Sequence, residues 1–300
     1  MGENKRKHHT LPERYLRGFA EPDTSFIWVF RRETPYQPGH KKGRDNPYRD
    51  GVRVTSAVRD RHAVRRATDG SVDFNTYENE FEKLEKKVEC VWPLLEKKQP
   101  IQDEHKQLFA EYMSHFIRRT DSRMNDVKKL IKSETNLFPW DQVVLNHAEN
   151  GRFAEAIAIS KDESYYRSED GQKLISLKSA IEPYRQLEQE LLARKWEFAV
   201  ATTDAAAGMF FLTSDNPVFY NRHLGVRGDA VMFPLRRDLC LVISPVLATK
   251  SKGDLAYISY PDEMIRMLNA MTIQFATKEV YSSSSDKWVW DVLNSGYKEC

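Results

Sequence analysis

The chain predicts an α+β fold with a mixed or antiparallel sheet built from N- and C-terminal strands around a large central helical block. Three observations predict it. Short β-rich runs open the chain, as in Ser25–Phe30. Apolar residues then recur every three or four positions from about Thr76 to Leu191, the spacing of a helix face. At Trp196 the period switches to strand-like runs that continue almost to the end. We read residues 1–300 as one α+β domain. Residues 1–70 carry a helix, strands and a basic loop, residues 71–195 the helical block, and residues 196–300 the strand-rich part.

The elements follow in order. Leu11, Tyr15, Leu16 and Phe19 are spaced as a short helix that docks on a core. Thr10 is the expected N-cap, with Pro12 in the first turn and Glu13 three residues on, as in a capping box. Docking would fix His8 and His9, which precede the helix. Ser25–Phe30 reads as a strand and Val52–Val58 as a second. Prolines and glycines between them mark an irregular loop. Phe81, Leu84, Val88, Val91 and Leu95 form an apolar stripe that Pro100 ends. Helical spacing continues over Glu104–Leu137, in short segments at 141–149 and 152–160, and over Leu174–Leu191, where Pro183 divides the helix. Strands are expected at 196–201, 209–213, 230–234, 239–244 and 275–281, and helices at 261–272 and 286–293.

Composition narrows the function classes. The hydrophobic fraction is 40% and the mean hydropathy is −0.64. No apolar run approaches the roughly 18 residues of a membrane span, and no apolar stretch follows the basic start as a secretory signal requires. A cytoplasmic location is expected. Cys90, Cys240 and Cys300 are far apart and odd in number, which argues against a disulfide framework. Cys90 and Cys240 read as small buried hydrophobes. Net charge is +2, so overall charge does not point to nucleic acid. The 40–66 segment is locally basic, with Lys41, Lys42, Arg44, Arg49, Arg53, Arg59, Arg61, Arg65 and Arg66. Such an excess attracts phosphates; it also suits a solvated surface. Signatures of nucleotide or organic cofactor binding are lacking: there is no Walker loop and no GxGxxG, and HExxH and GxSxG are absent too.

Three constellations can carry chemistry. Glu78 and Glu85 lie seven apart, about two helical turns, so both project from one face with Glu82 between them. Carboxylates on one stripe can hold a hard divalent cation; they also make an ordinary acidic helix face. Thr213-Ser214-Asp215-Asn216-Pro217 puts short polar side chains at a strand end, where binding groups often sit. The same residues form turns by bonding local backbone. His115, Arg118 and Arg119 share a helix. His115 reads as a core histidine, and Arg119 as an anion clamp or an ordinary ion pair. His40, His62, His105, His147 and His223 have no companion at metal spacing.

Several of these segments together resemble one family. His8-His9-x-x-Pro12-x-x-Tyr15-Leu16-x-x-Phe19, Phe26–Phe30, the Glu78…Glu85 and Phe116…Arg119 helices, Trp196, and Phe211 through Val218 are similar to the proteins grouped as domain of unknown function 4238. The first motif and the Ser-Asp-Asn-Pro motif are the distinctive ones. Residues Arg59–Ala63 depart from the family, which tends to an aromatic there, so no binding role is carried to that loop. The resemblance implies an architecture and a set of positions, and no reaction.

Two functions are expected from these residues. The first is a metal-dependent phosphodiester hydrolase, nuclease-like, with Glu78, Glu85, Asp215 and His9 holding Mg²⁺ or Mn²⁺. His8, His9 and Asp215 would be catalytic, with a histidine as general acid or base. Arg119, Ser214 and Asn216 would bind substrate, aided by the basic 40–66 segment. The second is a non-catalytic binding or regulatory module in which the His/Asp cluster is structural.

Overall fold

The computed structural model describes residues 7–66, 69–133, 168–201, 209–219, 230–247 and 256–295. Expected helices at 141–149 and 152–160 lie outside the described residues, as do His147, His223 and Cys300.

Two four-stranded sheets organise the chain. One joins β2 (Phe26–Arg31), β3 (Tyr48–Gly51), β8 (Thr213–Ser214) and β12 (Glu279–Ser282) in the order β3-β2-β12-β8. Strands from the two ends of the chain thus share this sheet, with Phe30 opposite Val280. The other contains β7 (Arg194–Ala201), β9 (Val231–Arg236), β10 (Leu239–Leu247) and β11 (Ala256–Tyr260), ordered β11-β7-β10-β9. It is mixed, because β11 runs parallel to β7 while the other pairs are antiparallel. Two small ladders complete the set: β1 (Lys7–His9) with β4 (Ala57–Arg59), and β5 (Val64–Arg65) with β6 (Val72–Asp73).

The helices follow the sequence periodicity. They are α1 (Glu13–Arg17), α2 (Thr76–Val88), α3 (Trp92–Glu96), α4 (Asp103–Arg118), α5 (Asp121–Ser133), α6 (Glu169–Ile181), α7 (Arg185–Leu192), α8 (Asp262–Phe275) and α9 (Lys287–Ser295). Asp73 starts α2 by accepting the amides of Asn75 and Thr76, each at 3.0 Å, donors that a helix start leaves without a helical partner. Pro183 falls between α6 and α7, as its missing amide requires.

The helical block forms one wall of the main core. Tyr15 of α1 packs at 5.1 Å against Phe116 of α4 and at 5.4 Å against Phe233 of β9. Phe109 of α4 meets both Phe233 and Trp196. Leu11, Tyr15, Leu16 and Phe19 are all buried. Each such side chain contributes about 1.5–3 kcal/mol, so the N-terminal segment is firmly docked.

Four local expectations are corrected. Thr10 does not cap α1: Pro12 occupies that position with no side-chain cap, and the Thr10 hydroxyl instead donates to the Ser56 carbonyl. Val52–Val58 is not one strand, because residues 52–56 turn, with Ser56 at φ 61°. Of the expected 209–213 strand only Thr213 pairs in a sheet, in a strand that ends at Ser214. The Asn269 side chain takes the backbone of Phe210 and Leu212, at 2.8 and 2.9 Å, in place of a strand neighbour. Cys240 is buried as expected, whereas Cys90 is exposed.

Candidate functional site

The N-terminal segment is strapped to the 56–62 region. His8 pairs with Val58 and His9 with Ala57 in the β1–β4 ladder. Thr10 N donates to Ser56 O at 3.1 Å, and the Ser56 hydroxyl donates to Leu11 O at 3.1 Å. This ladder turns the His8 ring into the interior, where it is fully buried.

His8 Nδ1 accepts the backbone N–H of His62 at 2.7 Å. That assigns the ring proton to Nε2, which donates to Phe74 O at 3.0 Å. The ring also stacks on His62, with centroids 5.1 Å apart and planes 9° from parallel. His62 Nδ1 lies 2.6 Å from Glu78 Oε2, and its ring packs on Phe81. Burial pushes the His62 pKa well below its ordinary range, and Arg61, His8 and Arg119 push the same way. Burial raises the Glu78 pKa, against the lowering pull of His8, Arg119 and His9. Both shifts have the same cause, burial that disfavours the charged form of each group.

Glu85 reaches the same side of α2. It accepts from Arg119 Nη1 at 2.8 Å. Arg119 Nε donates to Thr10 O, and the guanidinium stacks over Phe116 at 4.9 Å and Phe81 at 5.3 Å. Arg119 is therefore a three-way tie between α2, the end of α4 and the N-terminal segment. Three buried nitrogens here lack a hydrogen-bond partner among the described residues, His9 Nδ1, Arg61 Nε and Arg119 Nη2.

The Ser-Asp-Asn-Pro motif has a different job. Asp215 Oδ1 and Oδ2 accept the backbone amides of Thr277 and Lys278, each at 2.8 Å. Burial lifts its pKa to about 6, although these amides pull the other way. The Ser214 hydroxyl accepts Asn216 N at 3.2 Å. Asn216 Nδ2 donates to Phe275 O at 3.1 Å. The motif thus buttons the β8 corner to the end of α8 and the start of β12.

The structure therefore brings together His8, His9, Glu78, Glu85 and Arg119, and adds His62. The bonds of Asp215, Ser214 and Asn216 described above go instead to Thr277, Lys278 and Phe275 and within the motif. Among the described residues no three of His, Cys, Asp or Glu group so as to hold a metal ion. The expected metal set of Glu78, Glu85, Asp215 and His9 is accordingly not assembled, because each carboxylate is already engaged elsewhere. His115 is the core histidine expected, buried and bonded through Nδ1 to Ala180 O at 2.8 Å.

The basic segment is mostly neutralised. Lys42 pairs with Asp50, Arg44 with Asp45, Arg49 with Glu21, Arg59 with Asp60, Arg61 with Asp121, Arg65 with Asp170 and Arg66 with Asp73.

Sequence reasoning missed two things. His62 has no near companion in the sequence, and its partner Glu78 is sixteen residues away, outside any local spacing rule. It also missed a cleft of about 380 Å³ between α1 and the β9–β10 turn, lined by Arg14, Arg17, Arg236 and Arg237 beside Trp92. These arginines come from segments that only the tertiary fold joins.

No helix among the described residues is long and apolar enough to cross a membrane. No curated protein and no solved structure matches the chain. The family model described as "Protein of unknown function (DUF4238)" matches residues 7–286. That span takes in the His8-His9 strand, the Glu78 helix, Arg119 and the Asp215 corner, and the chain belongs to the DUF4238 family.

Proposed function

We propose that this protein is a non-catalytic binding module whose histidine–carboxylate cluster holds the fold together. The observation that carries this reading is the occupancy of His8: both ring nitrogens are taken by main-chain groups, of His62 and Phe74. A general acid or base needs a nitrogen free to exchange a proton with substrate. Asp215 is engaged in the same way, with both oxygens on backbone amides. Buried polar groups paired like this need no reaction to account for them. A cytoplasmic location goes with this reading, supported by the unpaired Cys90 and Cys240.

The alternative is a nuclease-like phosphodiester hydrolase using Mg²⁺ or Mn²⁺. It is favoured by the unpartnered His9 Nδ1 and Arg119 Nη2 beside Glu78, since perturbed, incompletely bonded groups cluster at reactive sites. Under it, Arg53 and Lys41, cations of the basic segment with no ion pair among the described residues, are left to meet nucleic acid. The present carboxylate pairings do not fit a metal, so Glu78 or Glu85 would first have to release its partner.

One assay separates the two. DNA and RNA are incubated with Mg²⁺ or Mn²⁺ and with wild type, His9→Ala or Asp215→Ala protein. The module reading expects no metal-dependent cleavage by any of the three. Cleavage by wild type that is abolished in a folded His9→Ala variant would establish the hydrolase instead.

A further inference from the structure

We infer that the arginine-lined cleft between α1 and the β9–β10 turn binds the phosphoryl groups of a small phosphorylated molecule. This rests on the binding-module reading and names its ligand class.

Rigidity comes first. Arg14 and Arg17 stand on α1, Arg236 at the end of β9 and Arg237 on the facing turn. The two walls are pinned at Gly18, whose carbonyl accepts Arg237 N at 2.8 Å. A Cβ on Gly18 would sit 2.8 Å from Leu235 O, so the walls meet at the closest approach that a bare backbone permits. Phe211 N donates to Arg237 O at 2.8 Å and holds the turn from behind. The cleft is therefore built before any ligand arrives, which lowers the ordering cost of binding.

Charge comes second. Arg14 is held by Glu96 and Arg236 by Asp238 at 2.9 Å. The acid facing them from the rim, Glu21, is held by Arg49 outside the cleft. Among the described residues Arg17 pairs with Glu13 one turn earlier on its own helix, and such i,i+4 pairs are worth about 0.3–0.5 kcal/mol. Arg237 has no ion pair or side-chain hydrogen bond among the described residues. Asp23, on an exposed rim turn, is the one lining acid without a cation partner among the described residues, and solvent screens it. Arg237 is thus the lining guanidinium with no ion pair among the described residues, and Arg17, on the opposite wall, is held only by a neighbour on its own helix. Guanidinium forks match phosphate oxygens in a two-point geometry.

Size comes third. A volume of about 380 Å³ lies at the small end of ligand sites. It suits a phosphomonoester or a short polyphosphate better than a large apolar ligand. Trp92, 5% exposed, supplies one apolar edge.

The test is titration calorimetry of the full chain with inorganic phosphate and with pyrophosphate. Saturable pyrophosphate binding that weakens with salt is expected. Arg237→Gln should weaken it by about tenfold, the loss of one charge-assisted contact, with an unchanged melting temperature. Arg17→Gln should weaken it less, and Lys83→Gln, on α2, should leave it unchanged. Absence of saturable binding of either anion overturns the proposal, as does binding indifferent to Arg237→Gln. A short single-stranded oligonucleotide that displaces pyrophosphate at lower concentration also overturns it, in favour of nucleic acid. Failure here with no nuclease activity leaves the module reading intact, whereas metal-dependent cleavage removes that reading whatever the calorimetry shows.

Discussion

The hydroxyl of Tyr15 meets the hydroxyl of Thr213 at 2.6 Å, buried and 198 residues apart in sequence. Tyr15 donates in turn to Pro234 O at 2.7 Å, so the Thr213 hydroxyl is the donor to Tyr15. The two most distinctive motifs of the chain therefore touch, through a tyrosine and a threonine in the core. The histidines and Asp215 that flank them point to other partners.

Tyr15→Phe should destabilise the protein by about 1–3 kcal/mol, since it orphans the Pro234 carbonyl and the Thr213 hydroxyl. Thr213→Val should cost less, and the double variant less than the sum of the two. Urea unfolding of the three variants measures this. Strict additivity would show that the contact does not couple the motifs.

His8→Leu should cost roughly 2–4 kcal/mol, because the His62 amide and the Phe74 carbonyl both lose a buried partner. The His62 amide should also exchange with solvent faster than in the wild type. Protection at His62 unchanged by the substitution would contradict the assigned bond.

The stability–pH profile should carry two opposing contributions. Burial takes His115 from its ordinary 6.5 down to about 4. Its contribution is complete above pH 6.5 and is lost as pH falls toward 4, by at most about 3 kcal/mol. Asp215 is raised from 3.8 to about 6. Its contribution is complete below pH 3.8 and is lost as pH rises through 6, by a comparable amount. Denaturant unfolding at pH steps from 4 to 7 should show the first loss missing in His115→Leu and the second missing in Asp215→Asn. Parallel profiles for wild type and variants would remove both assignments.

Gly18→Ala should destabilise by about 1–3 kcal/mol, the usual cost of overpacking. The backbone at Gly18 is helical, with φ −63°, so conformational strain adds nothing. The added methyl meets the Leu235 carbonyl and the Arg236 backbone. A melting temperature equal to wild type would show that the α1 wall can move away from β9.

Local patterns in the chain carried much of the architecture. The stripe from Phe81 to Leu95 and the division at Pro183 were legible, because periodicity encodes which face is buried and proline removes an amide wherever it sits. Sharing of a sheet between Phe26–Arg31 and Glu279–Ser282 followed from the order of strand and helix signals. Helical spacing put Glu78 and Glu85 on one helix, which is α2. Partners were a different matter. That Glu78 meets His62, Glu85 meets Arg119, Asp215 caps Thr277 and Lys278, and four arginines face one cleft was decided by long-range packing. A spacing rule reports the direction in which a side chain leaves its own element. The group waiting at the other end comes from a distant segment, and only the folded core brings it within hydrogen-bond reach.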